Sequence, residues 1–131
     1  PILDLDKKVK KRRKIFNKYY ENLCIIEGIS FMPESFDTLS NRWLTVINID
    51  PKKCKIDRDD LIKILAKENI ESRPVWKPMH MQPVFKNEIY LHNDIDLSKT
   101  FFETGLCLPS GSSLTKSQQD KIIQICLDNL Y

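Results

Sequence analysis

Residues 43–51 read Trp43-Leu44-Thr45-Val46-Ile47-Asn48-Ile49-Asp50-Pro51. Trp43, Thr45, Ile47 and Ile49 fall on one side and Leu44, Val46 and Asn48 on the other, the period-two pattern of a strand. Pro51 has no amide proton for a ladder, so the strand stops at Asp50-Pro51. Six residues on, Asp57 stands where a helix needs an N-cap, with Asp60 at the third helical position. Leu61, Ile62, Leu65 and Ala66 are then expected to form its buried stripe. Asn69 is a residue that ends helices in the left-handed region, and Ile70 to Arg73 is predicted as the next strand.

Outward from this unit the pattern continues on both sides. Upstream, Asp6 to Leu23 is predicted as a helix whose stripe is Leu5, Val9, Phe16, Tyr20 and Leu23, with Tyr19 alongside. Ile29 to Met32 is a short strand ended by Pro33. Downstream, periodicity lapses from Pro74 to about Asn93, where Pro74, Pro78 and Pro83 interrupt any ladder. Leu97 to Thr104 reads as a helix stopped by Gly105, Leu106 to Leu108 as a strand, and Pro109 to Ser113 as a turn. Thr115 and Gln118 make a capping box for a last helix, expected to bury Ile122, Ile123, Cys126, Leu127 and Leu130. The order implies an α+β fold, a small, mostly antiparallel sheet with helices packed on one face.

With 131 residues, 41% apolar and 30% charged, the chain fits one ordered domain of 1–131: an entering helix over 1–24 and a sheet-and-helix body over 25–131. A net charge of +3 is too small to argue for nucleic acid. No apolar run is long enough to span a bilayer or to serve as a signal h-region. Cys24, Cys54, Cys107 and Cys126 match no common zinc spacing and read as free thiols in a reducing cytoplasm. The start on Pro1 rather than Met reads as a cut edge.

The segment most suited to chemistry is Glu71-Ser72-Arg73-Pro74-Val75-Trp76-Lys77-Pro78-Met79-His80-Met81-Gln82-Pro83-Val84-Phe85. Its prolines make a stiff, irregular ribbon. Arg73 and Lys77 can meet phosphate, Trp76 can stack on a ring, and His80 can donate or accept near neutral pH. The other reading is a rigid surface loop with Trp76 and Phe85 pinned to the core. In Asn41-Arg42-Trp43 the arginine either points into a cleft or sits at a strand edge beside a core tryptophan. The basic run Lys7 to Lys14 suits a nucleic-acid arm, but an apolar stripe passes through it, as in a solvated amphipathic face. His80 and His92 have no ligand-spaced companions, so no metal site is expected. Ser110-Gly111-Ser112 lacks the frame of a nucleophile elbow.

Together these segments resemble a known family. Arg73-Pro74-x-Trp76-Lys77-Pro78-Met79-His80-x-Gln82-Pro83-Val84-Phe85 is similar to the signature loop in the C-terminal domain of DegT/DnrJ/StrS sugar aminotransferases. Lys11-Arg12-Arg13-Lys14-Ile15-Phe16-x-x-Tyr19-Tyr20 resembles the helix entering that domain, and Ser40-Asn41-Arg42-Trp43-Leu44-Thr45 its first long strand. Gly105-Leu106-Cys107-Leu108-Pro109-Ser110-Gly111-Ser112 with Leu114-Thr115 resembles the closing strand and turn. The likeness covers nearly the whole chain.

The resemblance implies the small C-terminal domain of an aspartate-aminotransferase-fold enzyme that uses pyridoxal phosphate (PLP). Such enzymes, usually homodimers, move an amino group, typically from glutamate, to a keto group of a nucleotide-linked sugar for polysaccharide, glycan or antibiotic synthesis. The lysine that holds PLP lies in a large N-terminal domain, which nothing in this sequence matches; Lys77 sits in the wrong motif for that role. The resemblance therefore implies no catalytic residue, no PLP for this chain alone and a missing PLP-binding domain as partner. Arg73, Trp76, Lys77 and His80 are carried over as residues facing the nucleotide-sugar pocket, with Asn41 and Arg42 as further candidates. The competing expectations are a free-standing sugar-nucleotide-binding or interaction module without catalysis, and a nucleic-acid binder using the basic helix. Neither nucleic acid nor a membrane is expected as a partner.

Overall fold

The computed structural model describes residues 4–92 and 94–131. Its elements are α1 (Leu5–Leu23), β1 (Ile29–Phe31), β2 (Thr45–Ile49), α2 (Arg58–Lys67), β3 (Arg73–Pro74), α3 (Leu97–Thr104), β4 (Gly105–Leu108) and α4 (Lys116–Leu130), with 3-10 turns at Met79–Met81 and Pro83–Phe85. The four strands form one sheet in the order β1-β2-β4-β3, every pairing antiparallel. Directly opposed residues share a face. The register sets Ile29 against Ile49, Phe31 against Ile47, Ile47 against Leu106 and Thr45 against Leu108. One face of the sheet is thus apolar.

That face carries the core. Ile15, Tyr19 and Leu23 of α1, Leu61 and Leu65 of α2, and Ile122, Ile123, Cys126 and Leu130 of α4 close over Ile47, Ile49, Leu106 and Leu108. The α+β expectation holds, with α1, α2 and α4 on one face. Local chemistry sets the helix starts as the sequence predicts. Asp57 accepts from the Asp60 amide, and Thr115 and Gln118 form a reciprocal capping box. Asn69 lies at φ 56 beyond α2.

Four details differ from expectation. The buried side of α1 is Ile15, Phe16, Tyr19 and Leu23, while Leu5 and Tyr20 are 56% and 49% exposed. The second half of α1 docks on α4, where Gln119 Nε2 donates to the Ile15 carbonyl at 2.7 Å. β2 starts at Thr45 rather than Trp43, because Arg42 at φ 48 turns the chain before the strand begins. β3 is Arg73–Pro74 rather than Ile70–Arg73, because the Ile70 amide bonds back to the Leu65 carbonyl at 2.9 Å and closes the helix end. A proline is tolerated there because β3 is an edge strand. The buried sets of the other helices shift as well: α4 takes in Gln119 while Leu127 is only partly buried, and in α2 Leu61 and Leu65 are buried while Ile62 is partly buried and Ala66 exposed.

Gly105 is not a left-handed helix stop. It has φ −85 and ψ 135 and opens β4 directly from the end of α3. A Cβ there would lie 2.4 Å from the Phe101 carbonyl oxygen and 2.5 Å from Val75 Cγ2, so only glycine lets α3, β4 and the chain at Val75 meet. Among the described residues no helix is long and apolar enough to cross a membrane. Cys54, Cys107 and Cys126 are buried free thiols, and Cys24 is exposed.

Candidate functional site

Arg73 pairs in register with Cys107, and the Val75 amide continues the contact by donating to the Gly105 carbonyl at 3.1 Å. From this edge the chain leaves the sheet and carries Trp76 and Lys77 outward. They border a cleft of about 1270 Å³ whose wall also includes Arg73, Trp43, Phe102 and Ser110. Trp76 is 64% exposed and Trp43 58%, and their rings lie 6.0 Å apart at a tilt of 31°. Neither tryptophan is a core residue, and Trp76 is not pinned inward.

Electrostatics in the cleft are mixed. Arg73 Nε donates to Glu71 Oε1 at 2.8 Å and its Nη2 to the same oxygen, which offsets part of its charge. Lys77 is exposed and makes no ion pair among the described residues. Lys121, also on the wall, pairs with Glu68 at 2.7 Å and holds that carboxyl below its ordinary range. The cleft thus offers two flat aromatic faces and one unpaired cation beside a half-neutralised guanidinium. Such a surface suits a ligand with a ring at one end and a phosphate charge near it.

Asn41 and Arg42 sit beside this cleft and act on Trp43. The exposed Asn41 accepts the Trp43 amide on Oδ1 at 2.9 Å, a local turn that aims the indole outward. Arg42 is buried, with its guanidinium 3.8 Å over the Phe16 ring, Nη1 donating to the Met32 carbonyl at 3.0 Å and Nη2 3.5 Å from Glu34. Arg13 makes a two-pronged pair with the same Glu34 at 2.8 and 3.0 Å. Hydrogen bonds from Arg13 and from the Ser40 amide, with the charges of Arg13 and Arg42, hold the Glu34 carboxyl at about 2. Arg12 donates to the Trp43 carbonyl at 3.2 Å. Part of the basic run therefore serves the body of the domain.

His80 does not border the cleft. Its Nε2 lies 2.9 Å from Asp96 Oδ2, and Tyr90 stacks on its ring at 3.7 Å and 8°. The Asp96 carboxyl is held at about 2, chiefly by the Lys99 amide and then by the Ser98 and Tyr90 hydroxyls and His80. Of the six sequence candidates, the fold brings Arg73, Trp76 and Lys77 together, sets Asn41 and Arg42 behind Trp43, and places His80 at the start of α3. Trp43 itself was missed as a cleft residue, though Asn41 two residues ahead is a turn former that signals an outward swing.

A PLP enzyme needs a lysine whose amine is desolvated or crowded by charge until it can react. Every lysine here is exposed except Lys18, which is half-buried and paired with Asp120. Lys53 and Lys63 are held above the ordinary lysine value by Glu27 and Asp60. The residues of this chain therefore do not fit the covalent anchor of PLP, and no metal-binding cluster occurs among the described residues.

EpsN of Bacillus subtilis strain 168, named as a pyridoxal phosphate-dependent aminotransferase, is 42% identical over 125 residues, covering 94% of this chain and 31% of EpsN. GDP-perosamine synthase of Vibrio cholerae is 30% identical over 127 residues, covering 97% of this chain and 34% of that enzyme. Among solved structures, DesV of S. venezuelae shares the fold with a TM-score of 0.84 at 21% identity, over 97% of this chain and 33% of DesV. The chain thus spans about a third of the length of the relatives it matches. Residues 2–126 match one family description almost end to end, and the chain belongs to the DegT/DnrJ/EryC1/StrS aminotransferase family.

Proposed function

We propose that this chain is the sugar-nucleotide-facing part of a PLP-dependent aminotransferase that moves an amino group, typically from glutamate, to a keto group of a nucleotide-linked sugar. The observation that carries the reading is the cleft in which Arg73, Trp76 and Lys77 converge on Trp43. An aromatic face takes a nucleobase or a sugar ring, and Arg73 and Lys77 take the phosphate charge. In this reading PLP supplies the amino-carrying chemistry and is anchored by a lysine of another domain, N-terminal in the complete protein. His80 contributes through the loop that bears Trp76 and Lys77, and Asn41 and Arg42 through Trp43. The assembly is a cytoplasmic homodimer when complete, acting in polysaccharide, glycan or antibiotic synthesis. Phe36, Leu39, Ile89 and Leu91, each at least 76% exposed, support the docking of a larger apolar surface.

The test is binding of a nucleoside-diphosphate sugar, read by quenching of tryptophan fluorescence, since Trp43 and Trp76 are the two tryptophans of the sequence. Lys77→Ala and Arg73→Ala should each weaken binding by about 1–2 kcal/mol, roughly 5- to 30-fold. Amino transfer from glutamate should require PLP and the longer protein. Unchanged affinity in both variants refutes the cleft assignment. Tight binding with no transfer by the complete protein would instead favour a binding module.

A further inference from the structure

We propose that Asp96 is a positioning residue, which grips His80 and so holds the strap Val75–His80, with Trp76 and Lys77 on it, against Trp43. The inference rests on reading that cleft as the sugar-nucleotide site.

The strap is fixed at both ends to one rigid unit. At its start the Val75 amide bonds to the Gly105 carbonyl, where α3 runs directly into β4. At its end His80 meets Asp96, the residue that caps the other end of α3. Helix α3 therefore acts as a spacer between the two anchors. Its eight residues span about 12 Å at 1.5 Å per residue. The five steps from Val75 to His80 reach at most about 18 Å when fully extended. Pro78, at φ −57 and ψ 149, keeps the middle extended and restricts the paths the strap can take between its two anchors. A strap tied only at Val75 would leave Trp76 and Lys77 free to swing.

The grip is built as a dedicated contact. Asp96 Oδ1 accepts from the Lys99 amide at 3.0 Å, from Ser98 Oγ at 2.7 Å and from the Tyr90 hydroxyl at 3.2 Å. These three donors settle one oxygen and leave Oδ2 facing His80 Nε2 at 2.9 Å, a close ionic contact that is off the line of a hydrogen bond and is the nearest acceptor to that otherwise unpartnered nitrogen. Tyr90 covers the imidazole and is itself stacked on His92 at 5.1 Å, so both partners of the pair are sheltered. The same hydrogen bonds keep the carboxylate ionised down to about pH 2. An N-cap alone needs only one oxygen for the Lys99 amide; the second oxygen is what a cap does not explain.

Two substitutions separate the cap from the grip. Asp96→Ser keeps a side-chain oxygen for the cap of α3 and removes the partner of His80. His80→Phe keeps a ring under Tyr90 and removes the polar contact. The readout is the far-ultraviolet exciton couplet of the Trp43–Trp76 pair, taken as the difference from Trp43→Phe and Trp76→Phe, with helix content followed alongside. Nucleoside-diphosphate-sugar affinity is measured in parallel. Loss of the couplet in both variants at unchanged helix content, with affinity weakened about tenfold, is the expected result. A couplet retained in either variant overturns the positioning role. A couplet lost with affinity unchanged keeps the positioning role and removes the cleft from the substrate site. Should Asp96→Ser unfold, His80→Phe decides alone, because it leaves the cap untouched.

Discussion

Gly105→Ala sets two opposed effects against each other at the junction that carries the site. The backbone at Gly105, φ −85 and ψ 135, is open to any residue. If conformation alone mattered, alanine would stabilise the fold by about 0.4–1 kcal/mol, by restricting the unfolded chain. The surroundings argue the other way. The new Cβ would lie 2.4 Å from the Phe101 carbonyl oxygen and 2.5 Å from Val75 Cγ2, against ordinary contact beginning at 3.4 Å. Each neighbour must retreat by about 1 Å to restore contact distance. Val75 can shift by moving the strap, but the Phe101 oxygen accepts the Gly105 amide at the end of α3 and cannot move without opening that helix. Overpacking of this kind costs about 1–3 kcal/mol per site. With one of the two clashes rigid, the cost falls in the upper part of that range, about 2–3 kcal/mol, and the net loss after the entropic gain is subtracted should be about 1–2.5 kcal/mol. Urea unfolding followed by circular dichroism gives the value. Adding Val75→Ala removes the yielding clash and should return only part of the loss. A Gly105→Ala protein as stable as the parent, or more stable, would refute the packing argument and leave the backbone term in control.

Tyr19→Phe removes the buried hydroxyl that donates to the Pro109 carbonyl at 3.0 Å and should cost about 1–2 kcal/mol in denaturant unfolding, since that carbonyl loses its partner. In the parent, burial pushes the Tyr19 hydroxyl well above its ordinary value, so a spectrophotometric alkaline titration should leave one tyrosine protonated until the fold opens. Glu34 is held at about 2 against an ordinary 4.5, a depressed acid whose stabilisation is complete above the unfolded value and lost as pH falls through that window. The Tm of the parent should therefore fall between pH 4.5 and 2, and Glu34→Gln should show a shallower fall. Some slope must remain, because Asp96 is also depressed, from 3.8 to about 2. Cys24 is exposed while burial raises Cys126 to about 12, so a thiol reagent should label Cys24 first and reach Cys126 only on unfolding.

What could be read from the sequence was local. The caps at Asp57 and Thr115, the inner strand at Thr45–Ile49 and the order of elements follow from neighbours within four residues. The departures came from partners far along the chain. The side of α1 that is buried is chosen by α4, about a hundred residues on, through contacts such as Gln119 to Ile15. β3 slipped toward Pro74 because the Ile70 amide had a better acceptor in Leu65. At the site, Arg73, Trp76 and Lys77 were legible because three residue types suited to a phosphate and a ring lie within five positions. The partner of His80 was not, because fifteen residues without periodicity separate it from Asp96 and carry no register.

The placement of Trp43 shows why sequence and site diverge at one residue. Arg42 holds φ 48, a backbone state that costs a residue with a Cβ about 1–2 kcal/mol. Its Nε is also buried without a partner. Nothing within Ser40-Asn41-Arg42-Trp43 would offset those costs. The offset lies in tertiary contacts: the guanidinium over Phe16, worth about 2 kcal/mol when desolvated, and the bonds to Met32 and Glu34. Helix α1 supplies Phe16 and also Arg13, which fixes Glu34 from the other side. The helix that resembles a basic arm in the sequence is thus what makes the turn at Arg42 tenable. That turn keeps Trp43 out of the core and facing Trp76. A tryptophan at the head of an alternating strand would otherwise continue inward with Thr45, Ile47 and Ile49, and the cleft would lose one of its two aromatic walls.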